Sequence, residues 1–388
     1  MGFPEAGITV ALKVGHGTVR AVEIGSTRLV KAAAMFAGKS PAEVLTILPT
    51  LFALCGTAQA LTGLEAMEQA GGLFASPATR AARRILVSAE AVAEHGMALA
   101  RDWPMLMGER PDMETARKFK RTLATVRQHL YPDGDWLTLG GGRLAPDISH
   151  LLADIAEAQA AFAHCLGGQV TGLLKDRNTF RAWMTQAPTA IGRMLAQVVS
   201  EAQASFGAAD LLAMPENGPP DLAERLDGDP DGLYLARPDY RGQVLETGAL
   251  ARNHTHPLVA AILRHEGAGL LARLTARLVD VAAALHEMAS LVQDLKAEAA
   301  GAARLGSGQG LAATQAARGL LAHRVHLAEG RVSLYRILAP TEWNFHPAGP
   351  LARGLTGIRA DGDLAARAGL LVAALDPCVT CQVSVEAP

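Results

Sequence analysis

Alternation of apolar and polar residues near the start of the sequence predicts a β-hairpin. The first strand carries apolar residues at every second position: Ile8, Val10, Leu12 and Val14. Gly15-His16-Gly17 then provides a turn, and a second β-like run covers residues 18–24. Two further runs, at 324–327 and 331–338, are joined by residues 328–330 and predict a second hairpin near the other end of the chain.

Helical spacing of apolar residues dominates the rest of the sequence. Ser40-Pro41-Ala42-Glu43 has the pattern of a capping box, and Ser76-Pro77 repeats the cap-then-proline signal. Helices are predicted over residues 58–70, 77–95, 114–129, 147–174, 179–206, 257–300 and 364–374, the fourth with a break near Gly167. Loops are predicted at 306–310 and at 214–231, where Pro, Gly and Asp accumulate and mark an insertion or long loop.

These elements predict a mainly α protein with small β hairpins (α+β), and the chain length alone leaves the number of domains open. A composition that is 49% hydrophobic supports a large core. The net charge is only -2 and basic residues are scattered, so we expect no nucleic-acid partner. Residues 1–10 lack the pattern of a secretion signal and no apolar stretch spans a bilayer, so we expect no membrane insertion.

Four cysteines at uneven spacing are too few for the disulfide framework of a secreted protein, so we expect a cytoplasmic location with reduced thiols. Cys165 falls on an apolar helix and is expected in the core. Cys378 and Cys381 form a Cys-x-x-Cys pair directly after Asp376-Pro377. Such a pair binds a metal, forms a disulfide or is an inert turn, and the residues alone leave all three open. A zinc ribbon is not expected, because no second Cys-x-x-Cys or close His pair accompanies it.

Several segments, in the same order along the chain, match motifs of one family. Residues 53–58, Ala-Leu-Cys-Gly-Thr-Ala, are similar to Arg-x-Cys-Gly-x-Cys, and residues 246–252 to Glu-Thr-Gly-Pro-Leu-Ala-Arg. Ala317-Arg318-Gly319, followed by His323, is similar to Ala-Pro-Arg-Gly, and residues 339–344 to Val-Pro-Ser/Thr-Thr-Trp-Asn. Residues 376–381 match Asp-Pro-Cys-x-x-Cys. The sequence thus resembles the large subunit of nickel-iron hydrogenases and, more closely, the HupK- or HoxV-type hydrogenase assembly proteins related to it.

The resemblance implies a trimmed large-subunit fold with a central helical bundle, as a single domain over residues 1–388, and a set of site residues. Cys55 and Cys378 match positions that hold nickel, and Cys381 matches a position that bridges to iron. Arg318, Pro340 and Thr341 match segments that hold the cyanide ligands of the iron.

The sequence also departs from the family pattern. Ala58 replaces the second bridging cysteine and Ser384 replaces the terminal histidine of the large subunits. The last residue is Pro388, so we expect no C-terminal extension to be removed after metal insertion. The resemblance therefore implies iron, bound transiently as Fe(CN)2CO, and no nickel.

The resemblance implies a maturation factor and not an enzyme: a scaffold that receives the Fe(CN)2CO fragment and transfers it to the apo large subunit. Its expected partners are the maturation proteins that build the fragment and the apo hydrogenase large subunit. Two alternatives stay open. One is a divergent redox subunit with an unusual metal site, and the other is a metal-free chaperone that mimics the large subunit.

Overall fold

Strands from the two ends of the chain share one sheet. The computed structural model describes residues 6–168, 170–301 and 305–386. In it, β1 (Gly7–Gly15) pairs antiparallel with β2 (Thr18–Ser26), which confirms the first predicted hairpin. β1 also pairs in parallel with a strand near the C-terminus, Thr380–Glu386, with Ile8 opposite Cys381. The sequence analysis does not predict this strand, because its pairing partner lies at the other end of the chain.

A second, antiparallel sheet has the order β3–β4–β5, with β3 at Gly308–Ala316, β4 at Gly319–Ala328 and β5 at Arg331–Leu338. The pair β4–β5 confirms the second predicted hairpin. The predicted loop 306–310 is wrong from Gly308 onward, because β3 begins there. Gly310 suggested a loop, but it lies where β3 passes the backbone oxygen of Ala66 so closely that a side chain would collide with it. The C-terminal strand Thr380–Glu386 is β6.

Helices make up most of the described chain. In chain order they are α1 Pro41–Leu51, α2 Gly56–Gly71, α3 Pro77–Met97, α4 Trp103–Leu106, α5 Met113–Leu130, α6 Ile148–Leu166, α7 Val170–Leu173, α8 Arg177–Gln186, α9 Ala190–Ser200, α10 Leu222–Asp227, α11 Leu233–Ala236, α12 Ala249–Asn253, α13 Pro257–Glu266, α14 Leu270–Gln293, α15 Pro340–Asn344, α16 Pro350–Leu355 and α17 Leu364–Leu375. Helices α3, α5, α6 and α14 pack together as a bundle, and α2 lies against β3 and β4. The predicted fold class is confirmed.

Helix starts follow the predicted capping signals. The Ser40 hydroxyl accepts a hydrogen bond from the backbone N–H of Glu43, and the Glu43 carboxylate accepts one from the N–H of Ser40. The Ser76 hydroxyl likewise caps α3 through the N–H of Thr79 at 3.0 Å. The break predicted near Gly167 is also confirmed, because α6 ends at Leu166. Local side-chain chemistry thus fixes these boundaries.

Two predicted long helices are each divided. The helix predicted over 179–206 is α8 and α9, since Pro188 lies between them and Thr189 caps the second. The helix predicted over 257–300 is α13 and α14, which ends at Gln293. Its break forms because the N–H groups of Leu270 and Leu271 donate to carbonyls at Phe206 and Ala204, outside the helix. Apolar periodicity continues through such a break and conceals it.

The predicted loop 214–231 is interrupted by α10, whose Leu222 and Leu226 pack into a small apolar cluster beside β4. The assignment of residues 1–388 to one domain stays a prediction. No single helix among the described residues is long and apolar enough to cross a membrane, although Pro41–Leu51 and Ala53–Gly71 pass the same test together with a bend of 100° between them.

A buried ion pair ties α14 to the segment before α12. Nε and Nη2 of Arg273 donate to the two carboxylate oxygens of Glu246 at 2.9 and 2.7 Å. Both side chains are almost fully buried, at 2% and 3% exposure. Arg273 also donates to the backbone oxygen of Gly207 at 3.1 Å. The pair therefore joins three separate parts of the chain.

Replacing Arg273 by Met should lower the free energy of unfolding by about 3–5 kcal/mol, because Glu246 loses its partner in a buried position. Arg193→Met is the matched control, since Arg193 makes the same two-pronged contact with Glu109 on the surface and should matter little. Urea unfolding followed by circular dichroism measures both. If the two variants lost the same free energy of unfolding, burial of the Arg273–Glu246 pair would not explain its contribution.

Candidate functional site

Cys55 and Cys378 come together although they lie at opposite ends of the sequence. Cys55 ends a short 3-10 turn, Ala53–Cys55, at the bend that leads into α2. Cys378 lies two residues before β6, and the pairing of β6 with β1 carries it back to the N-terminal part of the chain. Both thiols are free and partly exposed, and the Cys55 thiol is close enough to donate toward the Cys378 sulfur.

Two positively charged side chains, Arg318 and Arg28, act on this pair of cysteines. The hydrogen bond from Cys55 lowers the pKa of Cys378 to about 6, against the effect of burial, and the charges of Arg318 and Arg28 act in the same direction. The pKa of Cys55 is raised, because Cys55 keeps the shared proton and because its partial burial disfavours a charged sulfur. The pair therefore holds one thiolate at neutral pH, on Cys378.

Arg318 presents unused donors at the pair. Its Nη2 donates to Glu94 at 3.1 Å, and its Nε lies 3.6 Å from an oxygen of Asp376, too far for a hydrogen bond. Within the described part of the chain, its buried Nε and Nη1 have no hydrogen-bond partner. Its charge acts on both cysteines, and those sulfurs and Asp376 raise the pKa of Arg318 against burial. Buried donors without partners are uncommon in folded proteins and point to a missing ligand.

Thr341 adds another buried polar group that lacks a regular hydrogen-bond partner among the described residues. It lies in α15, whose first residue is the buried Pro340, and its hydroxyl is near enough to Cys378 to lower the pKa of that thiol. The hydroxyl is buried and lacks the alignment of a regular hydrogen bond to any described residue. The structure thus brings Cys55, Cys378, Arg318 and Thr341 together.

The structure places Cys381 apart from that group. Cys381 lies on β6 opposite Ile8, packed against apolar residues of the core, and burial alone raises its pKa to about 11. Across residues 6–168, 170–301 and 305–386, no three Cys, His, Asp or Glu side chains form a group that could hold a metal ion. The assignment of Cys55, Cys378 and Cys381 as metal ligands stays a prediction.

Arg28 is a site residue that sequence reasoning missed. It follows β2, its Nε donates to Glu342 at 2.7 Å, and its charge acts on both Cys55 and Cys378. The first motif has Ala53 where the large subunits have arginine, so Arg28 provides positive charge from another part of the chain. No local motif marks Arg28, and no signal in the sequence would have found it.

Glu90 is a second residue that the sequence did not reveal. Its two carboxylate oxygens accept hydrogen bonds from the backbone N–H groups of Thr57 and Ala58, at 2.7 and 3.0 Å. Glu90 therefore caps the start of α2, which has no side-chain cap from its own N-cap residue, Cys55. Burial raises the pKa of Glu90 to about 7. The contact fixes the turn that carries Cys55.

The other segments that match the family motifs are hydrogen-bonded to one another. The side-chain amide of Asn344 accepts from the N–H of Thr247 at 3.0 Å and donates to its carbonyl at 2.9 Å, while the Thr247 hydroxyl accepts from the N–H of Leu320 at 2.8 Å. Residues 246–250, 317–318 and 374–376 line one internal cavity of about 20 Å³. All the segments matched in the sequence therefore meet at one place.

Comparisons with known structures and families agree with this arrangement. The Ni-Fe-Se hydrogenase of D. vulgaris Hildenborough matches with a TM-score of 0.67 at 16% identity, covering 94% of each chain. The enzyme of Desulfomicrobium baculatum matches with a TM-score of 0.67 at 14% identity, covering 95% of each. The nickel-dependent hydrogenase family profile matches residues 203–384. The fold is thus that of the nickel-iron hydrogenase large subunit.

Curated relatives give the narrower family. The chain is 32% identical over 384 residues to the hydrogenase expression/formation protein HupV of Azotobacter chroococcum mcd 1, covering 97% of this chain and 98% of HupV. It is 32% identical to HupK of Bradyrhizobium diazoefficiens, covering 89% and 87%, and 31% identical to HoxV of Cupriavidus necator, covering 86% and 85%. The chain belongs to this family of hydrogenase expression/formation proteins, which confirms the resemblance found in the sequence.

Thiol alkylation of the metal-free protein should follow the pKa directions. At pH 7 Cys378 should react with iodoacetamide first, because its pKa of about 6 leaves it as thiolate. Cys165 and Cys381 should lag, since burial raises their pKa values to about 12 and about 11. Peptide mass spectrometry measures all four rates. The Cys378 rate should fall as the pH drops below about 6, and a Cys378 no faster than Cys381 at pH 7 would contradict this assignment.

Proposed function

We propose that this chain acts in hydrogenase maturation as a transient scaffold for the Fe(CN)2CO fragment. In this role it receives the fragment from the proteins that build it and passes it to the apo large subunit. Family membership supports the maturation role, since the curated relatives are named hydrogenase expression/formation proteins. The scaffold role is supported by the site itself, in which two sulfurs lie beside buried donors that have no partner.

The donors suit the chemistry of the fragment. Soft thiolates are appropriate ligands for iron, and Cys55 and Cys378 are near enough to bind the same ion. Cyanide nitrogen accepts hydrogen bonds, and Arg318 Nε, Arg318 Nη1 and the Thr341 hydroxyl are free to donate them. The planar fork of Arg318 also carries positive charge toward an anionic ligand. These unused donors beside two thiols are the observation that carries the proposal.

The departures from the large-subunit pattern suit transfer more than retention. Ala58 is a buried methyl group where large subunits have a bridging cysteine, so at least one sulfur is missing. Cys55 and Cys378 are partly exposed, which leaves a path for the fragment to enter and leave. We propose that the chain binds no nickel and is not itself a catalyst. In this proposal Cys381 is the third sulfur ligand of the iron.

The experiment is infrared spectroscopy with iron and nickel analysis, on protein purified without oxygen from cells that are making hydrogenase. We expect cyanide and carbonyl stretching bands with iron and without nickel. Cys55→Ser and Cys378→Ser should lose the bands and the iron, because each removes a thiolate. Cys165→Ser is the matched control and should keep both, since Cys165 is packed in the core away from the site. Bands that survive in both site variants would overturn the assignment.

The two alternatives predict different results in the same cells. A divergent redox subunit requires stoichiometric nickel in the purified protein. A metal-free chaperone shows neither iron nor bands, and a variant with both Cys378→Ser and Cys381→Ser should still support hydrogenase maturation. A scaffold should lose that support.

Thr341→Val tests the cyanide contact separately from the fold. The metal-free variant should be about as stable as the parent protein, because the Thr341 hydroxyl makes no well-aligned hydrogen bond whose loss would be costly. The loaded variant should show a shifted cyanide band, because one hydrogen bond to cyanide is gone. Thermal unfolding and infrared spectra measure the two effects. An unchanged spectrum would remove Thr341 from the site.

A further inference from the structure

A chain of buried polar side chains ends at the Cys55 sulfur. Nε2 of the Gln59 amide lies 3.8 Å from the Cys55 sulfur and is placed to donate to it. The Gln59 oxygen lies 2.9 Å from Nε2 of His323, and His323 Nδ1 lies 2.8 Å from the Tyr335 hydroxyl. The three residues come from α2, β4 and β5. The family motifs include His323 but neither of its partners.

The chemistry of these groups allows only one donor and one acceptor in each of these hydrogen bonds. Burial lowers the pKa of His323 to about 3, so the ring is neutral and carries one proton. An amide oxygen only accepts, so that proton is on Nε2 and points to Gln59. Nδ1 is then the acceptor, and the Tyr335 hydroxyl donates to it. With its oxygen occupied, Gln59 has only N–H groups to offer to the sulfur.

Packing holds this chain in place. Gln59, His323 and Tyr335 are 2%, 0% and 3% exposed, and the ring of Phe36 meets Tyr335 edge-on at 5.0 Å. Gly63 lies in the middle of α2, where glycine is unfavourable. A Cβ at this position would collide with the Tyr335 hydroxyl and crowd His323 Nδ1 at 3.2 Å. Glycine at position 63 therefore lowers the helix propensity of α2, but it leaves room for the contact between His323 and Tyr335.

We propose that Gln59, oriented by His323 and Tyr335, is a positioning residue for the Cys55 sulfur. Its N–H fixes the direction in which the sulfur presents its lone pairs and withdraws electron density from the sulfur. On the metal-free protein this sets the reactivity of Cys55. On the loaded protein, and there the inference rests on the proposed function, it limits how much electron density Cys55 gives to the iron.

The first test uses the metal-free protein and does not depend on any cargo. Gln59→Leu removes the N–H that holds the Cys55 sulfur in one orientation, so alkylation of Cys55 by iodoacetamide at pH 8 should slow severalfold. Tyr335→Phe should slow the alkylation of Cys55 less, because Gln59 is still present and only the hydrogen bond from Tyr335 to His323 is lost. Gln69→Leu, a glutamine on the same helix bound to the N–H of Leu311, is the matched control and should leave Cys55 unchanged.

Rates are measured by peptide mass spectrometry on variants shown by circular dichroism to be folded, with Cys165 as the internal reference. The inference is overturned if Cys55 reacts at the parent rate in folded Gln59→Leu, or if Cys165 slows equally. Should Gln59→Leu not fold, Tyr335→Phe decides, since it removes one buried hydroxyl and keeps the ring.

The second test uses protein that carries the fragment. Gln59→Leu should move the carbonyl band to lower wavenumber, because a thiolate without its N–H donor gives more electron density to iron and hence to carbon monoxide. A band at the parent position overturns the inference for the loaded state. Absence of all bands in the parent protein would instead refute the scaffold function, and the alkylation result would still decide the role of Gln59.

Discussion

The parallel pairing of β6 with β1 is the contact on which the site depends. Backbone hydrogen bonds between these strands place Cys378 beside Cys55, and the same sheet, through β2, leads to Arg28. Parallel neighbours need a crossover connection, and here almost the whole chain serves as that connection. The helices between the two strands therefore act as a frame that returns the last strand to the first. If the two strands separated, the two thiols would lose their common position.

Behind the thiols, a connected set of buried charges keeps the arginines in place. Arg318 reaches Glu94 and lies beside Asp376, and Arg277 donates to Asp376 at 3.3 Å and lies at the same distance from the ring of His95. Asp376 is deprotonated, because these arginines lower its pKa against the effect of burial. Since a buried charge without a partner is costly, each member restricts where the others can lie. The set therefore gives the site a defined geometry before any ligand arrives.

The elements that the sequence predicted well are those fixed by neighbours in sequence. The hairpin β1–β2, the capping box at Ser40 and the break at Gly167 all follow from local chemistry. The break before α14 depends on carbonyls at Ala204 and Phe206, and β6 depends on a strand at the other end of the chain. Such partners leave no mark in the local pattern, so periodicity alone could not find these features.

The site residues also divide into those that local sequence identifies and those that only the fold reveals. Matching to family motifs found Cys55, Cys378, Arg318 and Thr341, whose neighbours in sequence are characteristic. Arg28, Glu90 and Gln59 have no such neighbours, and they act on the site through contacts that only the fold creates. Motifs thus identify groups that a family shares, whereas the contacts that adapt a site to one chain must be found in three dimensions.

The distance along the chain between the two strands also determines when the site can exist during synthesis. Cys55 is made early, but its partner thiol and the strand that positions it come from residues 378–386. Until translation has passed Glu386, the growing chain lacks the complete strand that holds Cys378 beside Cys55. Pairing across nearly the full chain length also closes a very large loop, so this is expected to be a late folding step. In a newly made chain the two thiols therefore come together only when the fold is nearly complete.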